Sequence, residues 1–183
     1  GDKLSPGTAE VKRPAITGVT PTIVQPSKIS DDYEASGTVR ATVTSTIASR
    51  VMGTVTGVYV RAGERVQAGR LLATIDDRDA VQRVRAAEQA FEAAKQGRAM
   101  ADLTYRRYKK LHDEKALARQ EIDQIETQKK VADAQYEQAK AGLEEARILQ
   151  GFTRVTAPAA GVVTDKRIDP GSMAMPGMPL FTV

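Results

Sequence analysis

No cysteine occurs among the 183 residues, which excludes a disulfide framework and any thiolate metal site. The single histidine, His112, cannot build a multi-histidine centre. Tryptophan is absent and aromatics amount to 4%, too little for a large aromatic-lined pocket or a base-stacking platform. No apolar run approaches the roughly 20 residues that cross a bilayer. The opening Gly1, Asp2, Lys3 and Leu4 lack the apolar core of a secretory signal, so any such segment is expected to have been removed or never present. A strong charge of one sign is missing too, since 27 Lys and Arg face 23 Asp and Glu. The excess reads as spread along the chain, with no basic block that would call for nucleic acid. No nucleophile or acid–base pair held by a third group stands out, so no catalytic residue is nominated and the chain reads as a non-enzyme.

What is present comes in blocks. Pro6, Pro14, Pro21 and Pro26 lie among Gly, Thr and Ser, so residues 1 to about 14 read as a linker. Ile16, Val19, Thr22 and Val24 alternate in the manner of a short strand over 15–24. From 35 to 75, Val, Thr and Ile dominate between Gly37, Gly53, Gly57, Gly63 and Gly69, which predicts several short sandwich strands. From 79 to 150 there is no proline, two glycines and fifteen alanines, the composition of long helices. After Gly151 the β character returns.

Within the helical block, Ile122, Ile125, Lys129, Ala132, Tyr136, Ala139, Leu143 and Ala146 follow alternating steps of three and four. Ala80, Val84, Ala87, Phe91, Ala94, Arg98, Ala101, Tyr105 and Tyr108 show the same alternation, with Arg98 as the polar exception. Between the two runs the polar stretch from His112 to Leu117 predicts a reversal near 112–117. The block therefore reads as an antiparallel hairpin with arms of about 50 Å, too long to fold back into a compact domain.

The β segments on either side of the hairpin repeat at a fixed offset of 108 residues. Gly53 falls on Gly161, Val55 on Val163, Thr56 on Thr164, Gly63 on Gly171, Gly69 on Gly177, Leu72 on Leu180 and Thr74 on Thr182. Val60 with Ile168 and Ile75 with Val183 are conservative partners. Matched glycines predict equivalent tight turns or close backbone approaches at Gly53, Gly63, Gly69, Gly161, Gly171 and Gly177. Matched aliphatics predict equivalent core positions. Two half-motifs thus make one pseudo-symmetric sandwich.

The run Gly53, Thr54, Val55, then Gly63, Glu64, Arg65, Val66, Gln67, Ala68, Gly69, Arg70, Leu71, Leu72, Ile75 and Asp76 precedes the hairpin. Ala157, Pro158, Ala159, Ala160, Gly161, Val162, Val163, Gly171, Pro179, Leu180 and Phe181 follow it. Together they resemble the periplasmic adaptor, or membrane fusion, proteins (HlyD-like family) of bacterial tripartite efflux pumps, the resistance-nodulation-division (RND) type being favoured. The resemblance implies a mixed β and α fold. A lipoyl-like β-sandwich (barrel-sandwich hybrid) is split by a long antiparallel coiled-coil hairpin, with an incomplete β-barrel strand at the N-terminus. The segments would be a linker and partial barrel strand over 1–35, a first lipoyl-like half over 36–77, the hairpin over 78–151 and a second half over 152–183. In such proteins the hairpin tip meets a TolC-type outer-membrane channel and often carries Arg, Leu four residues on and Ser seven further. Here those positions hold Arg107, Leu111 and Ala118, the last keeping small size but losing the hydroxyl.

The implied partners are an outer-membrane channel, an inner-membrane transporter and further copies of the chain. The implied location is the periplasm with an inner-membrane anchor in the full-length protein, and no cofactor is implied. An adaptor of an ATP-driven exporter and a plain coiled-coil interaction protein are the alternatives. Asp165 and Lys166 resemble the lipoylated pair of carrier domains but fall inside the second half, away from a hairpin tip. Met173, Met175 and Met178 lie close enough to raise soft-metal binding, though methionine more often fills gaps. His112 reads as a solvated loop residue.

Overall fold

The computed structural model describes residues 43–183 together with Ala15, Thr17, Gly18, Thr20 and Ile23. The chain divides into two units, Gly1–Arg40 and Ala41–Val183, and every strand and helix named below belongs to the second. Half of the residues of the strand expected over 15–24, residues 16, 19, 21, 22 and 24, lie outside the described ones.

Among the described residues four strands precede the helices: β1 (Thr46–Ala48), β2 (Gly53–Val58), β3 (Arg65–Val66) and β4 (Leu71–Ile75). Helices α1 (Arg78–Asp113) and α2 (Arg119–Gly151) follow. The chain then returns through β5 (Arg154–Thr156), β6 (Gly161–Val162), β7 (Asp165–Lys166), β8 (Met173–Ala174) and β9 (Pro179–Thr182). The sheets run β1-β9-β7, β5-β4-β2-β8 and β3-β6, so each of them combines strands from before and after the helices.

The 108-residue repeat is present in the backbone pairing. In β2 with β8, Gly53 faces Ala174 and Thr54 faces Met173; in β6 with β3, Gly161 faces Val66 and Val162 faces Arg65. The Val55 N–H donates to Ser172 O at 2.8 Å, and its counterpart Val163 N–H to Glu64 O at 2.9 Å. The Tyr59 N–H donates to Leu72 O and Arg167 N–H to Leu180 O, at 2.8 and 2.9 Å. The symmetry also reaches further back than the residue matches do. Ser49 N–H donates to Met178 O as Ala157 N–H does to Arg70 O, each at 2.9 Å, although Ser49 and Ala157 share no side-chain chemistry beyond small size.

Two kinds of glycine hold this arrangement. Gly63, Gly69, Gly171 and Gly177 have φ between +81° and +91°, each the third residue of a turn closed by an i to i+3 hydrogen bond. This is the type II pattern, in which only glycine adopts that φ without strain, and Pro170 and Pro176 fill its second position in the later half. Gly53 and Gly161 serve close approach instead. A Cβ on Gly53 would lie 2.7 Å from Ile75 Cγ2 and one on Gly161 2.7 Å from Val183 Cγ1, and Ile75 and Val183 are themselves counterparts. The core of this β-body is a single cluster that includes Val55, Leu72, Val163, Ile168, Leu180 and Phe181.

The helices form the expected hairpin, with Val84, Ile122, Leu143 and Ala146 as its buried apolar positions. Phe91 packs against Tyr136 at 5.3 Å between ring centroids. Arg98, the polar exception in the first run of the seam, lies 4.4 Å from the Tyr136 ring centre and donates to Asp133 at 3.0 Å. Lys129 reaches the same carboxylate at 3.0 Å. These two cations, Lys129 first, hold the Asp133 carboxyl below the usual value of 3.8. Among the described residues no helix is long and apolar enough to cross a membrane.

Candidate functional site

The base of the hairpin is fixed to the β-body. Ile75 N–H donates to Thr153 O at 2.8 Å, so the start and end of the hairpin lie side by side. The Asp76 carboxylate accepts the Arg78 guanidinium and its backbone N–H, bonds that hold its pKa below the ordinary 3.8. The Arg50 guanidinium stacks over Phe152, at the end of α2, 4.8 Å from the ring centre. From this base, helices of 36 and 33 residues carry the tip outward, about 50 Å at 1.5 Å per residue.

At the far end α1 closes with a Schellman motif. Ala116 N–H donates to Leu111 O and Lys115 N–H to His112 O, each at 2.9 Å, the two bonds that satisfy the last free carbonyls of a helix. Lys115 takes the left-handed position with φ 59°, where glycine is the usual occupant. His112 is not a loop residue: it lies half-buried inside the last turn of α1, its carbonyl held by this motif. The reversal spans 114–118, and α2 begins after Ala118 at its N-cap. Ala118 has extended φ and ψ and makes no side-chain cap bond. A serine hydroxyl at this position could accept one of the orphan N–H groups of the first turn.

Arg107 and Leu111 are four residues apart and therefore share one face of α1. Both are exposed, Leu111 at 42%, and so is Ala118. Arg107 has no carboxylate partner among the described residues. A long rod thus presents at its end a fixed cation, an apolar side chain and a small residue, all solvent-facing. Such a set can hydrogen-bond carboxylate or carbonyl groups and fill a groove between helices.

The charge is not spread along the chain as its composition suggested. Residues 103–120 carry six cations against two carboxylates, a net +4 that equals that of the whole chain. Lys110, Lys115 and Arg119 join Arg107 there, and a windowed charge count would have found them.

The other marked residues lie elsewhere. Lys166 is a half-buried member of β7 whose Nζ donates to Ile168 O at 3.1 Å and to the Asp169 carboxylate. Met178 packs against the core, whereas Met173 and Met175 are 56% and 55% exposed on and beside β8.

The family model described as "RND MFP, barrel-sandwich hybrid domain" matches residues 43–183. The multidrug resistance protein MdtA of Photorhabdus laumondii is 33% identical over 143 residues, covering 77% of this chain and 35% of that protein. The multidrug export protein AcrE of Escherichia coli is 31% identical over 159 residues, covering 87% and 41%. Among solved structures, a MacA-MexA chimeric protein containing the Pseudomonas aeruginosa MexA α-hairpin domain superposes with a TM-score of 0.52 at 28% identity, over 78% of this chain and 48% of that one. The chain spans about two fifths of the length of the curated relatives it matches.

Proposed function

The chain belongs to the RND membrane fusion protein family through its barrel-sandwich hybrid domain, and from that premise we propose that it acts in a periplasmic adaptor subunit of a tripartite efflux system. It bridges an inner-membrane transporter to a TolC-type outer-membrane channel, for export of drugs or other small molecules. Its work is assembly: the β-body holds the hairpin base, the seam keeps the rod straight, and the tip docks on the channel. Several copies side by side, in the periplasm and tied to the inner membrane by the remainder of the full-length protein, make individually weak tip contacts cooperative by number.

The observation that carries this reading is the exposure of Arg107, Leu111 and Ala118 together at the end of a rod whose seam is closed upon itself. A coiled coil built to dimerise through the hairpin would leave its seam open for the partner, whereas here Val84, Leu143 and Ala146 are already buried within one chain. The test is binding of the purified chain to the TolC-type channel of its source organism, beside Arg107→Asp and Leu111→Ser variants. Saturable binding lost in both variants supports the docking role. Binding retained in both moves the contact away from the tip, and no binding by the folded chain overturns the proposal.

A further inference from the structure

The shaft and the tip of the hairpin carry net charge of opposite sign. Residues 78–102 and 121–151 hold nine cations and eleven carboxylates, and several of the cations are paired. Arg98 and Lys129 share Asp133, Arg147 meets Glu88 at 3.4 Å and Lys130 meets Glu126 at 3.9 Å. Of the tip cations, Arg106 reaches back to Asp102 of the shaft at 2.9 Å and Lys109 meets Asp113 at 3.5 Å. Arg107, Lys110, Lys115 and Arg119 are exposed and have no carboxylate partner among the described residues; Arg83, Arg85, Lys95 and Lys140 have none either, but they are scattered along a net-acidic shaft, whereas the tip gathers its four within thirteen residues.

Local stability does not account for this cluster. Lys110 suits the C-terminal end of α1, where the helix dipole favours a cation. Arg119 opens α2, where the same dipole disfavours one. Lys115 occupies a left-handed residue that glycine would take without strain. Four unpaired cations on one rod end also repel one another. Side chains that break local rules in this way mark positions kept for something outside the chain.

We propose that the tip is a cationic docking head whose partner is a carboxylate-rich rim on the outer-membrane channel, with Lys110, Lys115 and Arg119 adding to Arg107 around the apolar plug Leu111. The inference rests on the adaptor reading above and names the chemistry of its partner surface. The free cations speed and orient the encounter, and the leucine holds the docked state.

The experiment measures association of the full chain with the purified channel in detergent at about 50 mM and about 500 mM NaCl, where the Debye length falls from roughly 14 to 4 Å. The variants are Lys110→Gln/Lys115→Gln/Arg119→Gln and, separately, Leu111→Ser, each checked for helicity by circular dichroism. The triple variant should associate about tenfold more slowly at low salt and match the parent at high salt, because screening removes only the electrostatic part. Leu111→Ser should weaken binding at both salts. Binding that is lost in Leu111→Ser but indifferent to salt and to the triple change would overturn the cationic head while leaving the adaptor reading intact. No binding by any folded form would overturn both. Equal affinity of the parent chain for phosphatidylglycerol vesicles would overturn the protein rim in favour of a general polyanion surface.

Discussion

In the β-body thirteen residues form one buried cluster, drawn from strands on both sides of the hairpin. In the hairpin, the cluster at the base has three, Val84, Leu143 and Ala146, with Ala87 and Phe91 packed against it. The body closes through pairings between segments more than a hundred residues apart, such as Ile47 with Phe181. The hairpin closes through two helices joined by a short turn. The body is therefore held by burial and register, which are cooperative and tolerate little. The hairpin is held by a thin seam, supplemented by exposed ion pairs worth less than about 1 kcal/mol each. Because Ile75 and Thr153 meet at its base, the hairpin also serves the body as a rigid clamp, keeping the two half-motifs together despite a long insertion.

The sharpest way to break this contrast is at Leu143. Leu143→Asp places a carboxylate in the small seam cluster, an expected cost of about 3–5 kcal/mol. Helical circular dichroism and the melting temperature should both fall, and the body should loosen with the hairpin as its clamp opens. Unchanged helicity would remove Leu143 from the seam.

The symmetry of the body is testable by matched substitutions. Gly53→Ala and Gly161→Ala each push a Cβ to within 2.7 Å of a β-branched side chain, for a loss of about 1–3 kcal/mol apiece by overpacking. Equal losses in denaturant unfolding would show that the two halves bear the same strain. A silent change at one position would show that its half relaxes.

At the tip the expected sign reverses. Lys115→Gly relieves a left-handed residue and should stabilise by about 1 kcal/mol, and Ala118→Ser supplies the missing N-cap for about 0.5–1 kcal/mol. Both should raise the melting temperature. Lys115→Gly should also weaken low-salt association with the channel if the cationic head is correct, so stability and docking separate in one variant.

The smallest effect is in acid. The carboxyl of Asp133 has its pKa lowered by Lys129 and Arg98. Its contribution is complete above the ordinary value of 3.8 and is lost as pH falls through the lower folded-state value. Asp76, held down by Arg78, has the same sign. Thermal melts from pH 6 down to 2 should show a shallow decline confined to the acid end, flatter in Asp133→Asn.

Much of this molecule is legible from residue order. The alternating threes and fours place the seam, and the change in composition at both ends of the helical block is visible without coordinates. The offset of 108 pairs glycine with glycine and aliphatic with aliphatic across the hairpin. Two things escape such a reading. Ser49 and Ala157 are counterparts in the backbone but carry little shared pattern, since a pairing set by N–H and C=O groups leaves side chains free to drift. The concentration of charge at the tip escapes a whole-chain total because a total carries no positions.

Sequence alone determined that two β half-motifs and a helical hairpin exist, because periodicity, glycine spacing and helix-forming composition are local properties. Only the tertiary structure decided which side chains compensate one another. Ala73 and Phe181 occupy equivalent positions and are both fully buried, so the core is symmetric in its backbone and asymmetric in its volume. That choice depends on the space left by every neighbour in a close-packed interior. The same holds for Arg98, a misfit by pattern, which packing places over Tyr136 and against Asp133. It holds as well for Lys110, Lys115 and Arg119, whose lack of partners follows from where the folded carboxylates stand.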